Sequence, residues 1–125
     1  MTERLLQHER YIDSLLSLGE NAEAFRWLDE ASDYADRTLG EDLDNPESVT
    51  IVERGYRAGA SEIVAVDIHS DANGCQNTGR LVVILPESPI QRQSVFAWAN
   101  ELAAMRGWDP EVDFGQARLF VWLDK

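Results

Sequence analysis

The spacing of apolar residues predicts two helices at the front of the chain. Between residues 2 and 18 they recur at helical spacing, at Leu5, Ile12, Leu15 and Leu16. Between residues 21 and 39 a second stripe comprises Phe25, Leu28, Ser32, Ala35 and Leu39. Gly19 and Gly40 stand where each helix should end. Two helices joined at residues 19–20 predict a helical hairpin over residues 1–40.

A third helix is predicted over residues 46–59, after an acidic linker at residues 41–45. Asn45 is placed to act as the N-cap, with Pro46 in the first turn and Glu47 beside it. The β-branched run at residues 49–52 fits a strand as well. The capping residues favour the helix, and Gly59 ends it.

The second half of the chain alternates between strands and one long helix. Residues 62–69 and 80–85 predict a β-hairpin whose tip is the polar loop 70–79. Ser88 and Gln91 form a capping box around Pro89, and they open a helix that runs to Arg106. Residues 118–123 predict a last strand.

This order of elements predicts an α+β fold, with all of residues 1–125 in a single domain. An acidic helical hairpin at residues 1–40 precedes an α-β-β-α-β core at residues 46–125 with a small three-stranded sheet. The core has the element order of a ferredoxin-like sandwich that lacks its first strand. Such an analogy concerns the fold alone and carries no function.

Both faces of the predicted sheet are apolar. In the last strand Leu119, Val121 and Leu123 point to one side, while Phe120 and Trp122 point to the other. Both faces should therefore be covered. The helices at residues 46–59 and 89–106 can cover one face, and the other requires the N-terminal hairpin or a second subunit. Most other aromatic residues, Trp108 among them, are expected in the core.

Negative charge is concentrated at the front of the chain. Residues 1–47 hold 13 Asp and Glu against 4 Arg, whereas residues 48–125 hold 10 acids against 7 bases. The formal net charge of −12 disfavours nucleic acid and anionic membranes, since phosphate binding relies on clustered Lys and Arg. The same field favours a basic partner protein. The alternative is that acidity serves solubility alone.

Cysteine content and the lack of targeting signals predict a cytoplasmic protein. Cys75 is the single cysteine, so no internal disulfide can form, which suits a reducing compartment. The first residues have no signal-peptide pattern. No apolar run is long enough to span a bilayer.

Asp67, His69 and Asp71 are the best candidates for chemistry. Residues two apart on a strand share a face, so Asp67 and His69 should project together, with Asp71 at the start of the loop. An imidazole and two carboxylates could bind a divalent cation, or Asp67 and His69 could act as an acid–base pair. The alternative is structural, in which these side chains pair with each other, with an arginine or with backbone donors.

The loop at residues 71–79 offers two further candidates. Oxygen ligands at Asp71, Asn73 and Asn77 suit calcium, but the loop lacks the EF-hand pattern. Cys75 could be a nucleophile only if His69 were its base, and the alternative is an inert thiol.

Asp29, Asp33 and Asp36 form the candidate docking surface. On the predicted second helix they are three and four residues apart, where like charges repel. That cost is expected if the cluster binds a basic protein, and the alternative is a solvated helix face.

The sequence therefore favours a non-enzymatic interaction, regulatory or inhibitor module that needs no cofactor. Its partner-binding residues would be Asp29, Asp33, Asp36, Phe120 and Trp122, and its partner a basic protein or a second copy. The alternative is a small metal-dependent enzyme or binding domain built on Asp67, His69 and Asp71.

Overall fold

The computed structural model describes residues 2–124. The helices are α1 (Glu3–Ser17), α2 (Ala24–Asp29), α3 (Asn45–Ala58) and α4 (Pro89–Arg106). The strands are β1 (Glu20–Glu23), β2 (Thr38–Leu39), β3 (Glu62–Ser70), β4 (Gln76–Thr78), β5 (Arg80–Ile84) and β6 (Arg118–Trp122). The α+β class is confirmed, but the predicted three-stranded, ferredoxin-like sheet is wrong, because six strands form one mixed sheet.

β3 is the central strand of this sheet. Ala65 pairs with Ala22 of β1 on one side and with Leu81 of β5 on the other, both antiparallel. β4 continues the β5 pairing in the same register, so the predicted hairpin is confirmed. Its predicted tip at residues 70–79 is too long, because Gln76–Thr78 form β4 and pair with the end of β3. β2 runs parallel to β4. β6 pairs antiparallel with β5 alone within residues 2–124, which makes it an edge strand.

The predicted helical hairpin over residues 1–40 is wrong in its second half. Residues 20–23 form β1 against β3, α2 has six residues, and turns follow before β2. Carboxylates stabilise those turns. Asp33 Oδ1 accepts the backbone N–H groups of Ala35 and Asp36, and Asp36 Oδ2 accepts that of Ser32. Such side-chain bonds to nearby backbone compete with helix, and here they prevail over the apolar spacing.

The other predicted helices are confirmed, with a shift of one residue at the start of α3. Asp44 rather than Asn45 is the N-cap, and it forms a reciprocal capping box with Glu47. The β-branched run at residues 49–52 is helical. The freed Asn45 side chain donates to the carbonyl groups of Leu28 and Arg37, which fastens the acidic turns to α3.

Both sheet faces are covered, and the chain supplies both covers. The main core lies under α2, α3 and α4 and includes Leu81, Val83, Leu119 and Val121. The opposite face is smaller, and α1 covers it with Ile12 and Leu15 against Val66 and Val82. The sequence left a choice between the N-terminal region and a second subunit for this face. The structure assigns it to α1.

Within residues 2–124, the structure has no helix long and apolar enough to cross a membrane. The longest helix, α4, has 18 residues and carries charged side chains along its length.

A half-buried polar pair joins α3 to the sheet and to α2. The Tyr56 hydroxyl donates to Glu23 Oε2 at 2.5 Å and accepts the Ile63 backbone N–H at 3.0 Å. Burial, reinforced by the bond to Glu23, raises the pKa of Tyr56 to about 12. Burial also acts to raise the pKa of Glu23. The bonds from Tyr56 and from two backbone N–H groups outweigh it, so the pKa of Glu23 lies below its usual value.

Tyr56→Phe should lower the free energy of unfolding by about 1–3 kcal/mol at pH 7, because it leaves the Ile63 N–H without its acceptor and removes one of the three hydrogen bonds to the Glu23 carboxylate. The folded pKa of Tyr56 exceeds the unfolded value of 10.0, so its contribution is complete below pH 10 and is lost as pH rises toward 12. Urea unfolding at pH 7 and pH 11 measures both effects. A wild-type advantage that stays constant across this range would contradict the role assigned to the pair.

Candidate functional site

Asp67 and His69 lie together at the end of β3. Asp67 sits in a bulge opposite β1, with a positive φ of 54°. Its Oδ2 lies 3.1 Å from Arg80 Nη1 and 3.4 Å from His69 Nε2. The His69 side chain is 71% exposed. The Asp67 carboxylate therefore has an arginine partner, as the structural alternative anticipated.

Asp71 does not join this pair. Its Oδ1 accepts the backbone N–H groups of Asn73 at 2.8 Å and Cys75 at 3.1 Å, so it stabilises the turn at the hairpin tip. Asp71, His69 and Cys75 all line one open groove of about 400 Å³ beside the paired strands β2 and β4. In the part of the chain that the structure describes, no three His, Cys, Asp or Glu side chains are arranged to hold a metal ion.

Cys75 lies in an environment that disfavours the thiolate. Local desolvation and the negative charges of Asp71, Asp33 and Asp36 raise the pKa of its thiol above the usual value. Since the thiolate is the nucleophile, the fraction of reactive thiol at neutral pH is lowered.

Alkylation of Cys75 by iodoacetamide at pH 8 should be slower in the folded protein than in the same protein in 8 M urea, because the raised pKa leaves less thiolate. Stopped samples analysed by mass spectrometry give both rates. Asp33→Asn should move the folded rate toward the unfolded one, with Asp109→Asn as a control. Faster alkylation in the folded state would show that Cys75 is activated.

The predicted acidic helix face does not exist as such. Asp29 is exposed at the end of α2, whereas Asp33 and Asp36 lie in the turns that follow. Asp36 also accepts the Gln76 backbone N–H through Oδ1, which fastens these turns to β4. Two of the three predicted docking carboxylates therefore have structural partners.

The two aromatic residues of β6 lie beside an open groove. Phe120 and Trp122 are half-buried, with ring centroids 5.7 Å apart in an edge-to-face arrangement. Beside them is a cavity of about 100 Å³, the β6 groove, lined by Ala99, Ala103, Trp108, Asp109, Glu111, Phe120, Val121 and Trp122. A second, open space of about 300 Å³ is lined by Trp108 and Trp122 as well.

The groove runs along backbone that has no strand partner. Leu123 N–H bonds to Gly79 C=O, and Leu85 N–H bonds to Ala117 C=O, so odd-numbered residues of this segment face β5. In an antiparallel pair the alternate residues then point their N–H and C=O groups outward. His8 Nε2 lies 2.5 Å from the Arg118 carbonyl at the start of this edge. The outward groups of Phe120 and Trp122 border the groove instead.

The tryptophans divide into two pairs. Trp27 and Trp98 are buried, and their indole N–H groups donate to Gln76 Oε1 and to the Ile51 carbonyl. Trp108 is 43% exposed, so the expectation that it lies in the core is wrong. Across residues 2–124, the indoles of Trp108 and Trp122 donate no hydrogen bond within the protein.

The sequence identified half of the groove. It singled out Phe120 and Trp122 but missed Trp108, Asp109 and Glu111 in the loop between α4 and β6. A Trp directly after the helix-ending Gly107 is one signal that could have marked this loop, since a loop residue is usually exposed. In comparisons with protein-family models, curated proteins and solved structures, the chain matches none.

Proposed function

We propose that this protein is a non-enzymatic interaction module that binds an extended segment of a partner protein along β6. The observation that carries this proposal is the aromatic β6 groove beside an unpaired strand edge. Extended segments add to such edges through main-chain hydrogen bonds, while pockets for alternate side chains provide specificity. A regulator or inhibitor in the cytoplasm could work through this contact.

The size of the groove favours a protein partner over a small ligand. Cofactor and substrate pockets usually enclose about 300–1,000 Å³. The inner part of the β6 groove has a volume of about 100 Å³, which suits one side chain. The adjoining space lined by Trp108 and Trp122 is open to solvent and suits the backbone of the bound segment.

The enzyme alternative has less support. Asp67 is bonded to Arg80, Asp71 stabilises its own turn, and the Cys75 thiol has a raised pKa. Asp67 and Asp71 are thus engaged in separate structural contacts, and none of the three side chains is set up as a nucleophile beside a base.

Charge favours a basic partner. The net charge of −12 attracts positive proteins over a distance of about 10 Å at moderate salt. Asp29 tests this contribution better than Asp33 or Asp36, because it is exposed and lies outside the turn bonds. Asp29→Lys should slow association at low salt and have a smaller effect at high salt.

The proposal is tested by comparing three immobilised proteins as bait: the wild type, Trp108→Ser and Ile90→Ser. Trp108 lies in the groove, whereas Ile90 is 79% exposed at the start of α4 and serves as the matched control. A partner that binds along β6 should be captured by the immobilised wild type and by Ile90→Ser, but not by Trp108→Ser. Amide hydrogen exchange should then show protection of Phe120 and Trp122 in the complex.

Retention of the partner by Trp108→Ser, with no protection of β6, would overturn the proposal. Sedimentation velocity of the purified protein tests whether a second copy of the chain occupies the groove. A dimer that Trp108→Ser dissociates would show that a second copy, and not a basic partner, occupies the groove.

A further inference from the structure

We infer that the β6 groove is a receptor for one cationic side chain, a lysine or an arginine, carried by the segment that binds along β6. This inference rests on the proposed function and specifies the chemistry of its ligand. It follows from the aromatic walls, from two carboxylates without ion-pair partners, and from the volume of the groove.

The walls are of the kind that bind cations. A Lys or Arg head group over the face of a Trp is attracted by the ring electrons. The protein already uses this attraction nearby, with Arg80 4.9 Å from the Trp122 ring centroid and Arg4 4.4 Å from that of Phe114. Trp108 has no such cation among the described residues, so its face is available to a ligand.

Two carboxylates that line the groove have no ion-pair partner among the described residues. Throughout residues 2–124, no cationic side chain lies within ion-pair distance of Asp109 or Glu111. Other acids at this end of the sheet are paired, since Arg118 contacts Glu9 and Asp13. An incoming ammonium or guanidinium would therefore find carboxylate acceptors that no ion pair occupies.

Glu111 is the more strongly desolvated of these two. Burial raises the pKa of Glu111, and the charges of His8 and Arg4 offset this only in part. Those two groups are engaged elsewhere, His8 at the Arg118 carbonyl and Arg4 on the Phe114 ring. A half-buried carboxylate gains most from a cation that arrives together with its own hydrogen bonds.

Charge complementarity selects the occupant. A second copy of this chain would bring a further net charge of −12 toward Asp109 and Glu111. The arginine of β6 itself, Arg118, is already held by α1. A basic segment of another protein brings the cation that the groove lacks.

The test uses small probes and the four indole N–H signals of a ¹⁵N-labelled sample. The probes are the N-acetyl methylamides of lysine, arginine and norleucine, the last being a neutral analogue of lysine. The lysine and arginine probes should shift the signals of Trp108 and Trp122 and bind about fivefold more tightly than norleucine. Trp27 and Trp98, whose N–H groups are bonded within the core, serve as internal controls.

Two variants with the same change in charge distinguish an effect of the groove carboxylate from an effect of the overall negative charge of the protein. Glu111→Gln should reduce the preference for lysine over norleucine. Glu87→Gln removes an exposed carboxylate that does not line the groove and should leave binding unchanged. Trp108→Ser should abolish the shift of the Trp122 signal.

Equal binding of lysine and norleucine, or shifts that Glu111→Gln leaves unchanged, would overturn this inference. The proposed function would then still stand if the Trp108→Ser bait loses the partner. If the bait experiment fails but the probes still bind according to charge, the proposed binding of a partner segment would be wrong. The inference that the groove binds a cationic side chain would still stand.

Discussion

Ile12→Asp should lower the free energy of unfolding by about 4 kcal/mol or more, because it removes a buried aliphatic side chain and places a carboxylate in its apolar site. Ile12 is fully buried between α1 and the sheet, against Val66 and Val82. We expect α1 to detach and expose this second sheet face. Urea unfolding measures the loss, and binding of the dye ANS in the absence of urea reports the exposed surface.

Leu6→Asp is the matched control for this prediction. It adds the same charge to the same helix at an exposed position, so stability should change by less than about 0.5 kcal/mol. If Ile12→Asp also left stability unchanged, α1 would not be the cover of this face. The alternative from the sequence, a second subunit over Val82 and Phe120, would then become the better explanation.

Gly55→Leu should be the second severe change, with a loss of about 3 kcal/mol or more from overpacking. A Cβ atom at Gly55 would lie 2.7 Å from Ile63 Cδ1 and 2.7 Å from Trp98 Cζ2. The Trp98 ring cannot yield easily, since its N–H is bonded to the Ile51 carbonyl. Leucine is the better helix former by nearly 1 kcal/mol, which is too little to offset the clash.

Arg57→Leu provides the control, because Arg57 is exposed on the same helix. Its thermal midpoint should stay within a few degrees of the wild type. A Gly55→Leu protein as stable as this control would mean that α3 and α4 can move apart at no cost. The close contact at Gly55 would then have no role in specifying the fold.

The sequence was sufficient wherever local signals agreed with one another. α4 has an N-cap at Ser88, a proline in the first turn and Gly107 at its end, and it forms as predicted. The strands of the hairpin alternate around a polar loop, and β3 and β5 pair as expected. In these segments, capping, periodicity and turn residues favour one structure, so tertiary contacts did not alter it.

Residues 20–40 show where local signals conflict. Their apolar spacing fits a helix, yet Asp33 and Asp36 bond to nearby backbone and β1 finds a partner in β3. Which of these prevails depends on β3 and β4, strands that lie about 40 residues further along the chain. Helix spacing by itself contains no information about such partners.

The candidate site follows the same division. Alternation in the last strand predicts from the sequence that Phe120 and Trp122 lie on one face. Whether those rings are covered depends on α1 and on the path of the loop after α4. That loop brings Trp108 and Glu111 beside β6, and no spacing rule links residues that meet only through packing.

By itself, the sequence determined the α+β class, helices α1, α3 and α4, the β3–β5 hairpin and the acidic character of the surface. These depend on side-chain periodicity, capping and charge, which act over a few residues or over the whole chain. Only the tertiary structure decided that α1 covers the second face, that Asp71 stays apart from Asp67, and that β6 is an open edge. These features depend on contacts between segments that are far apart in the sequence. Such contacts form only when the chain packs, so local sequence patterns do not specify them.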